Sequence, residues 1–271
     1  MDRREFGVSS LLLAAVLGHA TAVRATTERF TVSPSRVFAH RGFGSLGAPN
    51  ASSPENTLRA FRHAVALGVL HLETDVQVTA DRVPVLLHDA TLDRTTDGQG
   101  AVNAVSYDQL ATLNAAAKFA ADTSREAVPT FAQYLALCRE TGATAVPELK
   151  SARTRGEVAT LLDMADAAGL AGRVIWQSRR PRTLEIIAQL RGPAARIALI
   201  RNDLHDFADF ARLPSEKTLI LRATALLEGR IRPADVTATG VKLVPWTVNQ
   251  PALAASLLNG GCDFILSDGP V

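Results

Sequence analysis

Cysteine, net charge, long apolar runs and internal repeats are all scarce in this chain of 271 residues. Only two cysteines occur. Cys138 falls in an apolar helical stretch and Cys262 directly before an apolar strand, so both read as buried thiols. The formal net charge is +2. That balance gives no electrostatic case for a nucleic acid or an anionic membrane as partner. The apolar run at residues 8–17 is too short to span a bilayer. No repeat or low-complexity tract competes with a globular reading.

The short apolar run has a context of its own. Arg3-Arg4 precede it and Val23-Arg24-Ala25 follow it. This pattern predicts a twin-arginine export signal over residues 1–25, cut after Ala25. The mature protein, residues 26–271, is then expected in the periplasm or secreted, with no stable membrane insertion. That length suits a single α/β barrel domain.

Downstream of residue 35, short apolar runs alternate with helix-period segments, which predicts parallel strands joined by helical crossovers. The strands are expected at 37–40, 70–78, 145–149, 174–177, 197–200, 219–222, 243–248 and 264–267. Helices are expected at 56–67, with Ser53 as N-cap, and at 130–140, 154–168, 182–190, 205–212, 233–239 and 252–258. One further strand, 83–88, follows the second after only four residues. A parallel crossover needs a dozen or more, so these two must form a hairpin. Residues 90–117 read as a small insertion with one short helix near 106–113. Without the hairpin arm the strands number eight, which predicts a TIM (β/α)8 barrel with a β-hairpin and small insertion after the second strand.

The chemistry-bearing residues fall at the C-terminal ends of these strands, the active-site face of such barrels. They are His40, Glu73, Asp75, Glu148, Lys150, Ser178, Arg201, Trp246 and Asp268. Glu73 and Asp75 lie two apart in a strand and so share a face. Two adjacent carboxylates repel unless a cation sits between them or one is protonated. With Glu148 they make a hard oxygen set suited to Ca²⁺ or Mg²⁺. His40 ends the first strand and His88 the hairpin arm, so the two can flank one substrate as base and acid, His40 favoured as the base. Arg41 offers a planar fork for a phosphate and Lys150 a point charge. Trp246 offers an apolar wall for a carbon skeleton. Glu55 is expected in a first helical turn, where the macrodipole alone favours a carboxylate. The remaining histidines, His19, His63, His71 and His205, have no such setting.

Eight short motifs occur in order: His40-Arg41-Gly42, Pro54-Glu55-Asn56-Thr57, Glu73-Thr74-Asp75-Val76, His88-Asp89, Leu92-Asp93-Arg94-Thr95-Thr96, Glu148-Leu149-Lys150, Trp246-Thr247-Val248-Asn249 and Ser267-Asp268-Gly269-Pro270. Together they resemble the glycerophosphodiester phosphodiesterase family across roughly residues 37–270. The resemblance implies a TIM barrel and hydrolysis of small-molecule glycerophosphodiesters to glycerol 3-phosphate and an alcohol. By position, His40 and His88 match the family's acid/base pair, Glu73, Asp75 and Glu148 its metal ligands, and Arg41 and Lys150 the residues that hold phosphate. Three features depart from the family's pattern: a long segment between Gly42 and Pro54, Gln177-Ser178-Arg179-Arg180 where a Ser-Phe pair is common, and weakly matching sixth and seventh strands. These bear on the substrate rather than on the reaction. A phospholipase D-like attack on lysophospholipids or sphingolipids is the nearest alternative and calls for an apolar rim, to which residues 43–53 contribute Phe43 and Leu46. Enolase-like proton abstraction would require a large capping domain that this length leaves no room for.

Overall fold

The computed structural model describes residues 30–119 and 124–271. The expected export signal lies outside the described residues. Nine strands form one sheet: β1 (Val37–Ala39), β2 (His71–Val78), β3 (Pro84–Leu86), β4 (Thr144–Leu149), β5 (Trp176–Ser178), β6 (Arg196–Arg201), β7 (Glu216–Arg222), β8 (Lys242–Trp246) and β9 (Ile265–Ser267). Their order is β8-β7-β6-β5-β4-β2-β1-β9, all neighbours on this path parallel, with β3 antiparallel to β2 off the path. Beyond β8, Val248 N–H donates to Leu266 O at 2.9 Å, which brings the two ends of the sheet together. The result is a nearly closed barrel of eight parallel strands with the expected hairpin arm.

The helices are α1 (Leu58–Ala66), α2 (Tyr107–Leu110), α3 (Phe131–Thr141), α4 (Arg155–Ala167), α5 (Pro181–Arg191), α6 (Phe207–Ala211), α7 (Ala223–Leu227), α8 (Pro233–Thr237) and α9 (Pro251–Asn259). Three of them start at capping boxes: Ser106 with Gln109, Thr130 with Gln133 and Thr154 with Glu157. In each, the cap hydroxyl and the third side chain reciprocally satisfy orphan N–H groups. The start of α1 differs from expectation. Its N-cap is Thr57, whose hydroxyl accepts from Ala60 N–H, not Ser53. Asn56 sits at φ 58°, a left-handed conformation that no helix can run through. The short α7 has no counterpart among the expected helices, because five residues carry too little periodicity to mark one.

Alternation along the strands sorts the core. Phe38, Val146, Ile175, Ala198, Ile200, Ile220, Val244 and Leu266 fill the barrel interior. Their strand neighbours point outward into a larger layer against the helices, with Leu72, Leu149, Leu199 and Leu243 all buried there. A third cluster, including Val85, Leu87, Leu92 and Leu110, fixes the hairpin and the insertion to each other. Cys138 and Cys262 are both free and buried, and burial pushes each thiol up to about 12.

Pro147 has no N–H to give to a ladder, and β4 is open toward β5 at that point. The only register pair there is Glu148 with Gln177, and Val174 meets Ala145 as an isolated bridge. The Gln177 side chain adds a link between β5 and β4 by donating to Val146 O at 3.0 Å. On the other side of β4, the Tyr134 hydroxyl of α3 donates to Leu72 O and accepts from Val146 N–H at 3.0 Å.

His71 opens β2 at the barrel end opposite the mouth, stacked on Phe38 and edge-on to Phe264. Burial, together with Arg196 and Lys242, pushes its pKa from 6.5 down to about 4. The unfolded chain therefore takes up a proton near 6.5 and the folded chain only near 4. The His71 contribution to stability is expected to be present above this window and to be lost as pH drops through it. The difference in stability between His71→Phe and the parent should therefore shift in favour of the variant between pH 7 and pH 4 in denaturant titrations. A difference that does not change with pH would remove His71 as the source.

Candidate active site

The turn after β1 has an unusual backbone. Arg41, Gly42 and Phe43 are all left-handed, at φ 51°, 75° and 67°. A Cβ on Gly42 would lie 2.8 Å from Ala60 Cβ, so only glycine lets this turn rest on α1. The conformation directs the Arg41 N–H to Glu73 Oε2 at 2.9 Å. The other Glu73 oxygen accepts from Gln177 Nε2 at 2.6 Å. Asn56, held in its left-handed pose, accepts from the Thr74 hydroxyl and Asp75 N–H and donates to Asp75 Oδ2 at 3.1 Å.

Glu73 and Asp75 are buried, as is Glu148. Lys150 Nζ bridges the last two, 3.1 Å from Asp75 Oδ1 and 2.8 Å from Glu148 Oε2. Arg41 Nε lies 3.3 Å from Asp75 Oδ2, an ion pair whose angle misses a hydrogen bond. Burial works against ionisation of Asp75, yet Lys150 and Arg41 hold it well below the usual carboxylate range. Glu73 goes the other way. Burial, and then the charge of Asp75, push it up to about 7. The two carboxylates that share a strand face are thus electrostatically unequal.

Each catalytic candidate imidazole rests on a carboxylate. His40 Nδ1 lies 2.6 Å from Asp268 Oδ1, with Ser45 Oγ at 2.9 Å from the same nitrogen. Asp268 is fixed by Asn249, which donates to Oδ2 at 2.7 Å and accepts from the Asp268 N–H at 2.9 Å. Despite burial, hydrogen bonds to His40 and its neighbours keep Asp268 below its ordinary pKa. An ionised carboxylate only accepts, so the hydrogen on His40 Nδ1 is directed at Asp268 and Nε2 is the nitrogen left free to face a substrate. His88 repeats the device with Asp89 Oδ1 at 2.5 Å. Burial first, and then Arg41 and Lys150, lower the His88 pKa against the pull of Asp75.

Glu55 ties the two halves together. It is not in a helix, since α1 begins three residues later. Its Oε1 accepts from Arg41 Nη1 at 3.0 Å and Arg94 Nη2 at 2.7 Å, and its Oε2 from Arg94 Nη1 and Leu46 N–H, both at 2.8 Å. Arg94 continues to Asp89 Oδ2 at 2.7 Å. A continuous chain of charge therefore runs from His88 through Asp89, Arg94, Glu55 and Arg41 to Asp75.

His40, Arg41, Glu73, Asp75, His88, Glu148 and Trp246 line one cavity of about 40 Å³ at the barrel mouth, with Gln177 and Arg179 beside them and Ile200, Ile220 and Leu266 below. Lys150 lies next to it, on a cavity of about 140 Å³ that shares Glu148 and Arg179. All the candidate site residues thus meet at one place. Of the other histidines, His63 faces Ser52 and Ser53, His205 is exposed near Asp206, and His19 lies outside the described residues. Sequence reasoning assigned no role to Asn56, Asn249, Arg94, Asp89 or Gln177. The first four stand inside the quoted motifs, which was the available signal. Gln177 carried no signal that tied it to Glu73.

Among the described residues, no three His, Cys, Asp or Glu side chains converge as a ready-made metal cage. Lys150 stands between Asp75 and Glu148, where a cation would bring them together. The donor chemistry fits a hard divalent ion all the same. Glu73 is a buried carboxylate short of positive charge, and each of its oxygens accepts one bond and retains a lone pair.

Residues 40–271 match the model of the glycerophosphoryl diester phosphodiesterase family. This chain belongs to that family. It is 30% identical over 241 residues to a glycerophosphodiester phosphodiesterase of Caldanaerobacter subterraneus subsp. tengcongensis, a match that spans 86% of this chain and 94% of the relative. A glycerophosphodiester phosphodiesterase structure from Parabacteroides distasonis superposes with a TM-score of 0.71 at 25% identity, covering 86% of this chain and 92% of the other. A phosphodiesterase from Oleispira antarctica, solved in complex with its product sn-glycerol-3-phosphate, superposes at 0.70 with 24% identity over 87% and 93% of the two chains. At that identity the likeness speaks for the barrel. Family membership is carried by the sequence match.

Proposed function

We propose that this chain hydrolyses glycerophosphodiesters to glycerol 3-phosphate and an alcohol by acid/base catalysis with His40 and His88. The observation that carries the reading is the meeting of two imidazoles, each backed by a carboxylate, around a cluster of acidic and cationic side chains in one cavity. Anionic esters need their charge offset and two protons moved, and this set of groups supplies both.

Arg41 and Lys150 hold the phosphate's non-bridging oxygens, exchanging part of their present pairing with carboxylates for the substrate's charge. One imidazole takes the proton of the attacking hydroxyl. The other gives a proton to the departing alkoxide, so that the alcohol leaves neutral. The attacking hydroxyl is that of water, or the substrate's own glycerol 2-hydroxyl by way of a cyclic phosphate. Asp268 and Asp89 fix which nitrogen of each ring faces the reaction and stabilise the imidazolium once formed. Glu73, Asp75 and Glu148 would hold Ca²⁺ or Mg²⁺, which when bound polarises a phosphate oxygen and offsets charge developing there. Trp246 walls one side of the cavity.

A lipid substrate has no observation in its favour. Phe43 is fully buried, and the exposed large hydrophobic side chains among the described residues, Leu70 and Leu227, do not line the cavity.

The full chain, purified and assayed on glycerophosphoglycerol and glycerophosphocholine, is expected to release glycerol 3-phosphate with added Ca²⁺ or Mg²⁺ and to stop in EDTA. A cyclic phosphate trapped at early times would identify the glycerol 2-hydroxyl as nucleophile. No release from either diester with either ion would overturn the reaction, and release undiminished by EDTA would overturn the metal.

A further inference from the structure

The mouth of the barrel is unevenly charged, and the imbalance lies on one wall. Trp246 ends β8, and Arg222 ends β7 directly beside it in register. The Arg222 guanidinium carbon lies 5.6 Å from the centre of the indole. Arg179 reaches over from the end of β5 and places its own guanidinium carbon 4.9 Å from the same ring. Both arginines are exposed. Among the described residues, Arg222 has no carboxylate partner within 4 Å, and Arg179 has only Glu148, its Nε 3.9 Å from Oε1, too long for a hydrogen bond. Glu148 is in any case already held by Lys150.

The neighbouring cavity of about 140 Å³ continues this wall. It is lined by Lys150, Arg179 and Arg180 against one acid, Glu148, with Ser178 between them. Arg180 is held in place there by donating from Nη1 to Lys150 O at 2.7 Å, while its N–H donates to Ser178 Oγ at 3.1 Å. Ser178, Arg179 and Arg180 are consecutive, so one short segment at the end of β5 supplies most of this pocket. Arg201, nearby, is not part of the excess because Asp206 neutralises it.

We infer that Arg179 and Arg222, spread over Trp246, together with the Arg180 and Ser178 pocket, select diesters whose leaving alcohol carries an anionic group, a phosphate or a carboxylate. This rests on the phosphodiesterase reading and adds the class of alcohol to it. An indole is the natural receptor for a trimethylammonium group, because its face attracts cations. Here two guanidiniums already lie over that ring, so a choline or ethanolamine headgroup meets like charge instead of a π face. A phosphate or carboxylate meets the reverse: planar forks whose geometry matches its oxygens. Arg179 and Trp246 line the same cavity as His40 and His88, so with the phosphate held by Arg41 and Lys150 the leaving alcohol, on this inference, lies against this wall.

The test uses the full chain and four diesters: glycerophosphocholine, glycerophosphoglycerol, glycerophosphoglycerol bearing a terminal phosphate, and glycerophosphoglycerate with its carboxylate. At low ionic strength, kcat/KM for the better of the two anionic alcohols should exceed that for glycerophosphocholine by about tenfold, the scale of two partly exposed charge contacts. The comparison between phosphate and carboxylate shows which anion the wall prefers. The ratio should shrink in 0.5 M salt (an assay condition about fivefold above the ~0.1 M at which charges are screened over ~10 Å). It should also fall toward unity when Arg179→Gln and Arg222→Gln are combined. Choline equal to or better than both anionic alcohols would overturn the inference, as would a ratio untouched by the double substitution. Affinities followed through tryptophan emission separate the two layers of the argument. The same order of binding without turnover would remove the reaction and leave the wall. Turnover with equal affinities would remove the wall and leave the reaction.

Discussion

Alanine at His40 or at His88 is expected to lower kcat on a glycerophosphodiester by about 10²–10⁴-fold, the range over which a positioned acid or base contributes. The two substitutions should behave alike because the two imidazoles are built alike, each holding its Nδ1 proton against an aspartate. Neither ring supports the fold. His88 is partly exposed on the hairpin arm. Loss of His40 leaves Asp268 still clamped by Asn249 on two sides. Thermal unfolding of both variants should therefore stay close to that of the parent protein, and added imidazole should restore part of the rate. A loss of only a few-fold at both positions would remove the acid/base assignment. A large loss accompanied by unfolding would show that the rings are structural.

Glu55→Gln should destabilise the folded chain by about 3 kcal/mol, the scale of removing one partner from a buried ion pair. Glu55 is buried and accepts four hydrogen bonds, three of them from guanidinium nitrogens. Burial opposes its charge, but Arg94 and Arg41 hold its pKa below the usual range. Glutamine keeps the shape and replaces one acceptor oxygen by an NH₂ aimed at donors. Arg41 retains Asp75, and Arg94 retains Asp89 and is partly exposed, which keeps the cost from being larger. Urea titration of the two proteins measures it. A difference under about 1 kcal/mol would mean that the network is solvated well enough to need no central charge.

The barrel was legible from the sequence because strands and helices of ordinary length alternate with few interruptions. The hairpin was legible because four residues cannot carry a parallel crossover. Glu73, Asp75, His40 and His88 were legible because short-range strand geometry fixes which residues share a face and which end a strand. The start of α1 was not, since Ser53-Pro54 reads locally as an N-terminus and only the contacts of Asn56 with Thr74 and Asp75 hold that stretch out of the helix. Gln177 was not, because its two partners, Glu73 and Val146, lie on two other strands, 104 and 31 positions away. The roles of Glu55 and Arg94 needed three dimensions as well. Their partners lie from 5 to 39 positions away, a separation that no periodicity encodes.

The chain of charge from His88 to Asp75 also constrains how this protein can diverge. Each member, whether Asp89, Arg94, Glu55 or Arg41, is shared between two neighbours, so a change of sign at one strands a charge at the next. Substitutions along it will not combine additively. A descendant that abandons one member must pass through a poorly folded intermediate or change a second member almost at once. The exposed arginines over Trp246 carry no such debt. Divergence within this lineage should therefore accumulate on the arginine wall, in the choice of alcohol, long before it touches the residues that surround the phosphate.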